Sequence, residues 1–402
     1  VTRLPAPLQP VWPLAKRLHR FTSLLSGMAF RRVSFLCGRR GVPRRASSRS
    51  ALTAEAEPGS VVLHRAGEAE AIDRALPTGS PRHHPVYAAA ASFVVPAPFV
   101  LDLADGIVAG DFGAHITQAQ SLDFETSPYF GVADWREHPV FLRPTLPRTE
   151  HVAGTVVSLA TRGGGNSYYH FLLDVLPRWG IVERVLSGTQ PDALYLPTQA
   201  RYHRELLALT GLDQHTIIPS GKRRAVRADR LLVPSQPNPE EVAPRWAVDW
   251  LRRQLPPENT ADKPSRIFVT RGNGRNTRRL VQEPAVWPLL EQRGFVRIDP
   301  GAMSVRDQID HFAAADVIVG IHGAALTNLL FAKAGVKVLE LFQSTYVKHC
   351  FWAITDDIDG STYRYLISGE PPPPGKDLLG IQTDIEVEPE VVIAAVDDLL
   401  AS

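Results

Sequence analysis

The chain has 402 residues, too many for one ordinary domain and a fair length for two. Apolar residues make up 44 % and charged residues 21 %, as in globular bodies, and no apolar run reaches the roughly 18–20 residues that span a bilayer. The net charge of +2 conceals an acidic body: residues 1–50 hold eleven Lys and Arg and no acid, which leaves 33 basic against 42 acidic residues beyond them and argues against nucleic acid as a partner.

In chain order, residues 1–60 come first as an Arg-rich segment whose first Met is Met28. Its composition predicts a basic, disordered arm that need not belong to the native protein; a targeting segment or an arm for an anionic surface would have the same composition. Cys37 and Cys350 lie far apart, so no structural disulfide is expected and a reducing compartment fits. Residues 61–240 are expected to form an α/β lobe. Strands are predicted at 153–160, 193–196, 216–218 and 230–233, with helices at 167–186 and 202–209. Seven prolines between Pro234 and Pro264 mark a linker, placed at 241–264, with one helical pattern at 245–255. Residues 265–402 alternate more sharply. Strands are predicted at 266–270, 295–298, 316–321 and 336–341, and helices at 283–293, 305–314, 324–331 and 390–400. Connections this short imply a parallel sheet.

The chemistry gathers at two places. Ile318-Val-Gly-Ile-His-Gly-Ala-Ala-Leu-Thr-Asn328 runs a strand through His322-Gly323 directly into a helix of small residues. A helix that starts at the carboxyl end of a parallel strand offers free N–H groups to a phosphate, and Gly323 lets the backbone approach. A tight turn with a hydrogen-bonded His fits the same residues. Arg271 ends the first strand of this lobe, and Arg275, Arg278 and Arg279 follow in one loop. Guanidinium groups suit phosphate oxygens. Glu340 falls near the carboxyl end of the next strand, where an acid often takes ribose hydroxyls. The second place is Arg162-Gly-Gly-Gly-Asn-Ser-Tyr-Tyr-His-Phe-Leu-Leu-Asp174. His170 and Asp174 stand four residues apart on one helix face, a spacing that suits a general base and its orienting acid. A buried, mutually satisfied pair would have the same spacing.

Other patterns do not hold. Gly272-Asn-Gly274 lacks the third Gly of a dinucleotide fingerprint, and Gly369 to Lys376 has the wrong spacing for a P-loop. Asp357-Ile-Asp359 is read as a turn, not a metal site.

Taken together, Gly165-Asn-Ser-Tyr-Tyr-His170, Asp174 and Leu176-Pro-Arg178 resemble the N-terminal signature of glycosyltransferase family 61. Thr270-Arg271, Arg279, Glu283, Gly294-Phe295, Gln308, Phe312-Ala313, Ala315-Asp316-Val317, His322 to Asn328 and Glu340-Leu341 resemble its C-terminal part. The resemblance implies two Rossmann-like lobes in a GT-B-like arrangement with a cleft between them. It implies inverting transfer of a sugar from a nucleotide-sugar donor, expected to be a UDP-sugar, to a glycan or lipid-linked acceptor in capsular or extracellular polysaccharide biosynthesis. By that similarity Arg271, Arg279 and His322 contact the diphosphate and Glu340 holds the ribose. Glu283, Gly323, Ala324 and Asn328 complete the donor site, and neither metal nor other cofactor is required. Gln282 departs from the Asn common at that position. A bacterial, cytoplasmic protein, peripheral at most to the inner face of the membrane, is the expected setting. The rival readings are a non-catalytic nucleotide- or sugar-binding module and a nucleotide-dependent oxidoreductase.

Overall fold

The computed structural model describes residues 12–186, 188, 190–272, 278–370 and 383–402. The larger of its two main sheets has a parallel part in the order Ala225–Pro234, Thr149–Ser158, Ala193–Leu196, Ile217–Pro219. The central strand of this part reads as an unbroken apolar run because both its faces are covered; Ala-Leu-Tyr-Leu at 193–196 is buried at every residue. Antiparallel strands extend the sheet. Ile107–Ala109 and Phe99–Ala104 both pair with Ala225–Pro234, followed by Ala114–Ile116 and Ser121–Asp123 on one branch and Val61–Arg65 on the other. The Rossmann-like expectation therefore describes only the parallel part.

The second sheet is parallel throughout, in the order Val296–Ile298, Arg266–Val269, Val317–Ile321, Lys337–Gln343, Thr362–Ser368, Thr78–Ser80. Chain order reverses between Arg266–Val269 and Val317–Ile321. At such a switch point the flanking connections leave in opposite directions and open a crevice at the carboxyl ends of the strands. In the first sheet the corresponding break lies between Thr149–Ser158 and Ala225–Pro234.

Three boundaries differ from the sequence expectation. First, residues 12–60 are folded. Helix Trp12–Val33 packs on the segment 135–142, Val42 is fully buried, and Arg45–Ser47 pairs in parallel with Ser121–Asp123. Composition gave no sign of this because few apolar residues of the segment face inward. Second, residues 66–91, expected in the first lobe, cross to the second: Thr78–Ser80 supplies its outermost strand, and Tyr87 stacks on Tyr365 at 4.7 Å. Third, the Pro-rich stretch is no free linker. Its helix Arg245–Gln254 lies against Leu176–Leu186 so closely that a Cβ on Gly180 would meet Trp250 at 2.6 Å. One apolar core consequently runs from the first sheet, through Tyr168, Tyr169 and Phe351, to the second.

Candidate active site

In the second sheet the switch point brings Arg271 and His322 together, each just beyond a strand end. Arg271 Nη1 donates to the His322 carbonyl at 2.9 Å. A Cβ on residue 323 would sit 1.9 Å from that same nitrogen, so Gly323 is what lets the guanidinium cross. The following helix, Ala324–Phe331, is a 3-10 helix instead of the expected α-helix. It begins at Gly323 on the rim of the crevice, and first-turn N–H groups of a helix lack intrahelical acceptors.

His322 is 5 % exposed and its Nδ1 lies 2.5 Å from Glu340 Oε1. The other Glu340 oxygen accepts from Tyr363 at 2.5 Å, and Tyr87 lies 3.4 Å beyond. Burial pushes the Glu340 carboxyl well above its usual range, against the pull of Tyr363 and Arg278. Burial, with the charges of Arg278 and Arg271, holds His322 well below its own. Both shifts favour a neutral acid donating to a neutral imidazole, which leaves the proton on Nε2 as a donor. Arg278 stacks 4.8 Å from the Tyr346 ring, and burial lowers the pKa of both arginines, that of Arg271 to about 10. Among the described residues, Arg271 Nε and Arg278 Nε and Nη1 are buried donors without a protein acceptor. Such groups cost about 1–3 kcal/mol each unless a ligand oxygen meets them.

Not every expected donor residue joins this group. Arg279 is exposed, and Asp384 and Ile385 hold its backbone; its neighbour Arg278 takes the inner position. Glu283 accepts from Thr270 at 2.9 Å and lies 3.5 Å from Arg297, so it fastens a strand end. Asn328 is saturated: its oxygen accepts from Tyr168, and its amide donates to Gln308 and the Ala325 carbonyl, each at 2.9 Å. It ties the two sheets together. Glu340, fully buried beneath His322, is closed to a ribose. Asp357 is ion-paired with Arg74 at 3.1 Å. Arg275 falls outside the described residues.

At the first sheet's break, the glycine loop after Thr149–Ser158 leads into the helix of His170. A Cβ on Gly163 would lie 2.4 Å from the His170 ring and one on Gly164 2.4 Å from Val175, so the loop seats the imidazole directly. Phe171–Val175 is a turn of π-helix, a geometry frequent at functional sites. His170 Nδ1 lies 2.7 Å from Asp174 Oδ2. Burial disfavours the His170 cation, but the Asp174 hydrogen bond and the charges of Asp174 and Glu241 together outweigh it, and the pKa is raised. The other Asp174 oxygen accepts from Asn238 at 3.2 Å, whose amide also reaches Tyr169 and whose carbonyl accepts from the Ala243 N–H. Asn238 was not singled out in the sequence; its place directly after the strand Ala225–Pro234 was the available signal.

The two groups are neighbours. The Tyr169 ring lies 5.3 Å from His170 and 5.9 Å from Phe351, which lies 5.2 Å from His322. Glu241, which acts on His170, pairs with Lys348, which acts on His322, at 3.0 Å.

Residues 168–339 match the family model described as Glycosyltransferase 61. Over that segment the chain is similar to glycosyltransferase family 61. The family 61 match opens at the helix of His170 and closes one residue before Glu340, so it contains both groups. No curated protein matches the chain.

Proposed function

We propose that the protein is an inverting glycosyltransferase that moves a sugar from a nucleotide-sugar donor, a UDP-sugar by the family resemblance, to a glycan or lipid-linked acceptor in polysaccharide biosynthesis. The observation that carries this reading is the placement of the His170–Asp174 pair and the Arg271–Arg278–His322 group at the carboxyl ends of two parallel arrays, one aromatic layer apart. A GT-B-like working arrangement, a metal-free reaction and a cytoplasmic setting belong to the same proposal.

In this reading His170 donates Nδ1–H to Asp174 and keeps the Nε2 lone pair for the acceptor hydroxyl. As that proton leaves, the acceptor oxygen attacks the anomeric carbon from the face opposite the diphosphate, and the bond to the diphosphate oxygen breaks. Negative charge grows on the leaving group. Arg271, Arg278 and the His322 Nε2–H are fixed in advance to receive it, as electrostatic stabilisation requires.

Incubation with a panel of nucleotide sugars and glycan acceptors, read by release of nucleoside diphosphate, tests the activity and names the donor. His170→Ala should lower transfer about 10²–10⁴-fold and leave nucleoside diphosphate binding near wild type. Transfer at the wild-type rate in that variant would remove His170 from the role of base. Nucleotide binding with no release from any donor–acceptor pair would favour the non-catalytic binding module.

A further inference from the structure

Helix Trp12–Val33 presents two unlike faces. Its inner face is built for this protein. A Cβ on Gly27 would lie 3.2 Å from Phe141, the Arg31 guanidinium sits 4.7 Å over the Trp135 ring, and Arg20 pairs with Glu137. On its outer face Leu18, Phe21, Leu25 and Met28 recur at helical spacing and are 42–62 % exposed. Val33, Phe35 and Leu36 continue this exposed apolar surface past the helix end. Large apolar side chains in such a row are uncommon on a free surface.

The charge around the stripe identifies what covers it. The segment 1–50 has eleven cations and no acid, on a body with a net charge of −9. A second copy paired symmetrically through this segment would bring the same cations against these, whereas an anionic bilayer complements them. Apolar side chains together with a polybasic segment are the two signals that hold a peripheral protein on a bilayer. Insertion is interfacial, since no helix among the described residues is long and apolar enough to cross a membrane.

We propose that the outer face of helix Trp12–Val33 docks on the surface of a membrane containing anionic phospholipids. The helix packs on residues 135–142, and part of that segment walls a cleft of about 290 Å³. Phe112, Tyr129, Leu142, Arg143, Arg162 and Lys222 line the cleft. Arg162 stacks 4.0 Å over Phe130, which lies 5.2 Å from His170, so the cleft leads toward the proposed base.

Co-sedimentation of the full chain with vesicles of phosphatidylcholine, alone or with roughly one-third phosphatidylglycerol, tests the docking. Binding should need phosphatidylglycerol and weaken as salt rises and screens the attraction. Phe21→Glu with Leu25→Glu should abolish it. Arg32→Gln with Arg40→Gln should weaken it about ten- to thirty-fold. All four side chains point to solvent, and unchanged melting temperatures confirm that the variants fold. Equal binding to both vesicle types, or binding indifferent to both double variants, overturns the proposal. So does self-association that Phe21→Glu with Leu25→Glu removes in a protein that binds no vesicle. Nucleoside diphosphate release with a soluble acceptor does not depend on docking, so failure here leaves the transferase reading intact, and failure there leaves docking intact.

Discussion

His170 joins a raised pKa to a specific partner, and the sign of its pH dependence follows from that. The imidazole must be neutral to take a proton, and below its pKa it is not. Transfer, as kcat/KM, should therefore fall as pH drops through a value above the ordinary 6.5. Asp174→Asn removes the charge that raises this pKa. The acid limb should move to lower pH while the plateau rate falls, since the imidazole is held less firmly. An acid limb unmoved by the substitution would show that another group titrates. Gly323 supports a second residue-level prediction. An added methyl would meet the far end of the Arg271 side chain, which can swing away, so Gly323→Ala should fold. Nucleoside diphosphate affinity should drop about ten-fold or more, the worth of a displaced charge-assisted hydrogen bond. Calorimetric titration reads this, and wild-type affinity would place Arg271 away from the diphosphate. The sequence marks Gly323 as room for a phosphate beside the backbone, whereas the structure fills that room with the Arg271 guanidinium.

At the scale of elements, the middle of the second sheet was readable because its central strands are buried on both faces. Val-Ile-Val-Gly-Ile at 317–321 is apolar throughout and buried throughout, and the helix 305–314 is found at the predicted bounds with Ser304 as its cap. Thr78–Ser80 was not readable. A strand of Thr, Gly and Ser has no apolar alternation and joins the sheet through its backbone alone, with Gly79 where the Tyr365 ring leaves no room for a Cβ. The candidate site divides in the same way. His170 and Asp174 share one helix, so their spacing declares the contact. Asn238 reaches Asp174 from a Pro-rich stretch 64 residues away, and Tyr363 reaches Glu340 from a strand absent from the sequence expectation. Asn328 sits in the most informative run of residues, and its side chain bonds to Tyr168, Gln308 and the Ala325 carbonyl, contacts that no motif displays. Asn238→Ala should cost about 1–3 kcal/mol of stability in denaturant unfolding, because it strips partners from Asp174 and the Ala243 N–H. It should lower kcat and leave donor affinity unchanged. Loss of donor affinity instead would mean that Asn238 orders the other half of the site.

Across the whole molecule, the crossing of residues 66–91 is fixed by charge as well as by packing. Arg74, 2 % exposed at its side chain, pairs with Asp356 and Asp357. Burial still raises the Asp357 carboxyl, to about 6, against the pull of Arg74 and Arg245. Arg74→Ala leaves that acid half-enclosed without its closest cation. Destabilisation of about 3–5 kcal/mol is expected at pH 7, the cost of a broken buried pair. The penalty should shrink toward pH 5, where Asp357 takes up a proton and is neutral in either protein. Denaturant unfolding at the two pH values measures the difference, and an equal loss at both would assign the effect to packing.

The same crossing limits how this fold can be inherited. A recombination joint placed at 241–264 would look safe from composition, yet it would set one ancestor's Thr78–Ser80 and Tyr87 against another ancestor's Thr362–Ser368 and Glu340. The two halves are not exchangeable cassettes. Tyr87 and Tyr363, 276 positions apart in the chain, are expected to change in step among descendants of this sequence, as are Gly79 and the ring of Tyr365 that covers it.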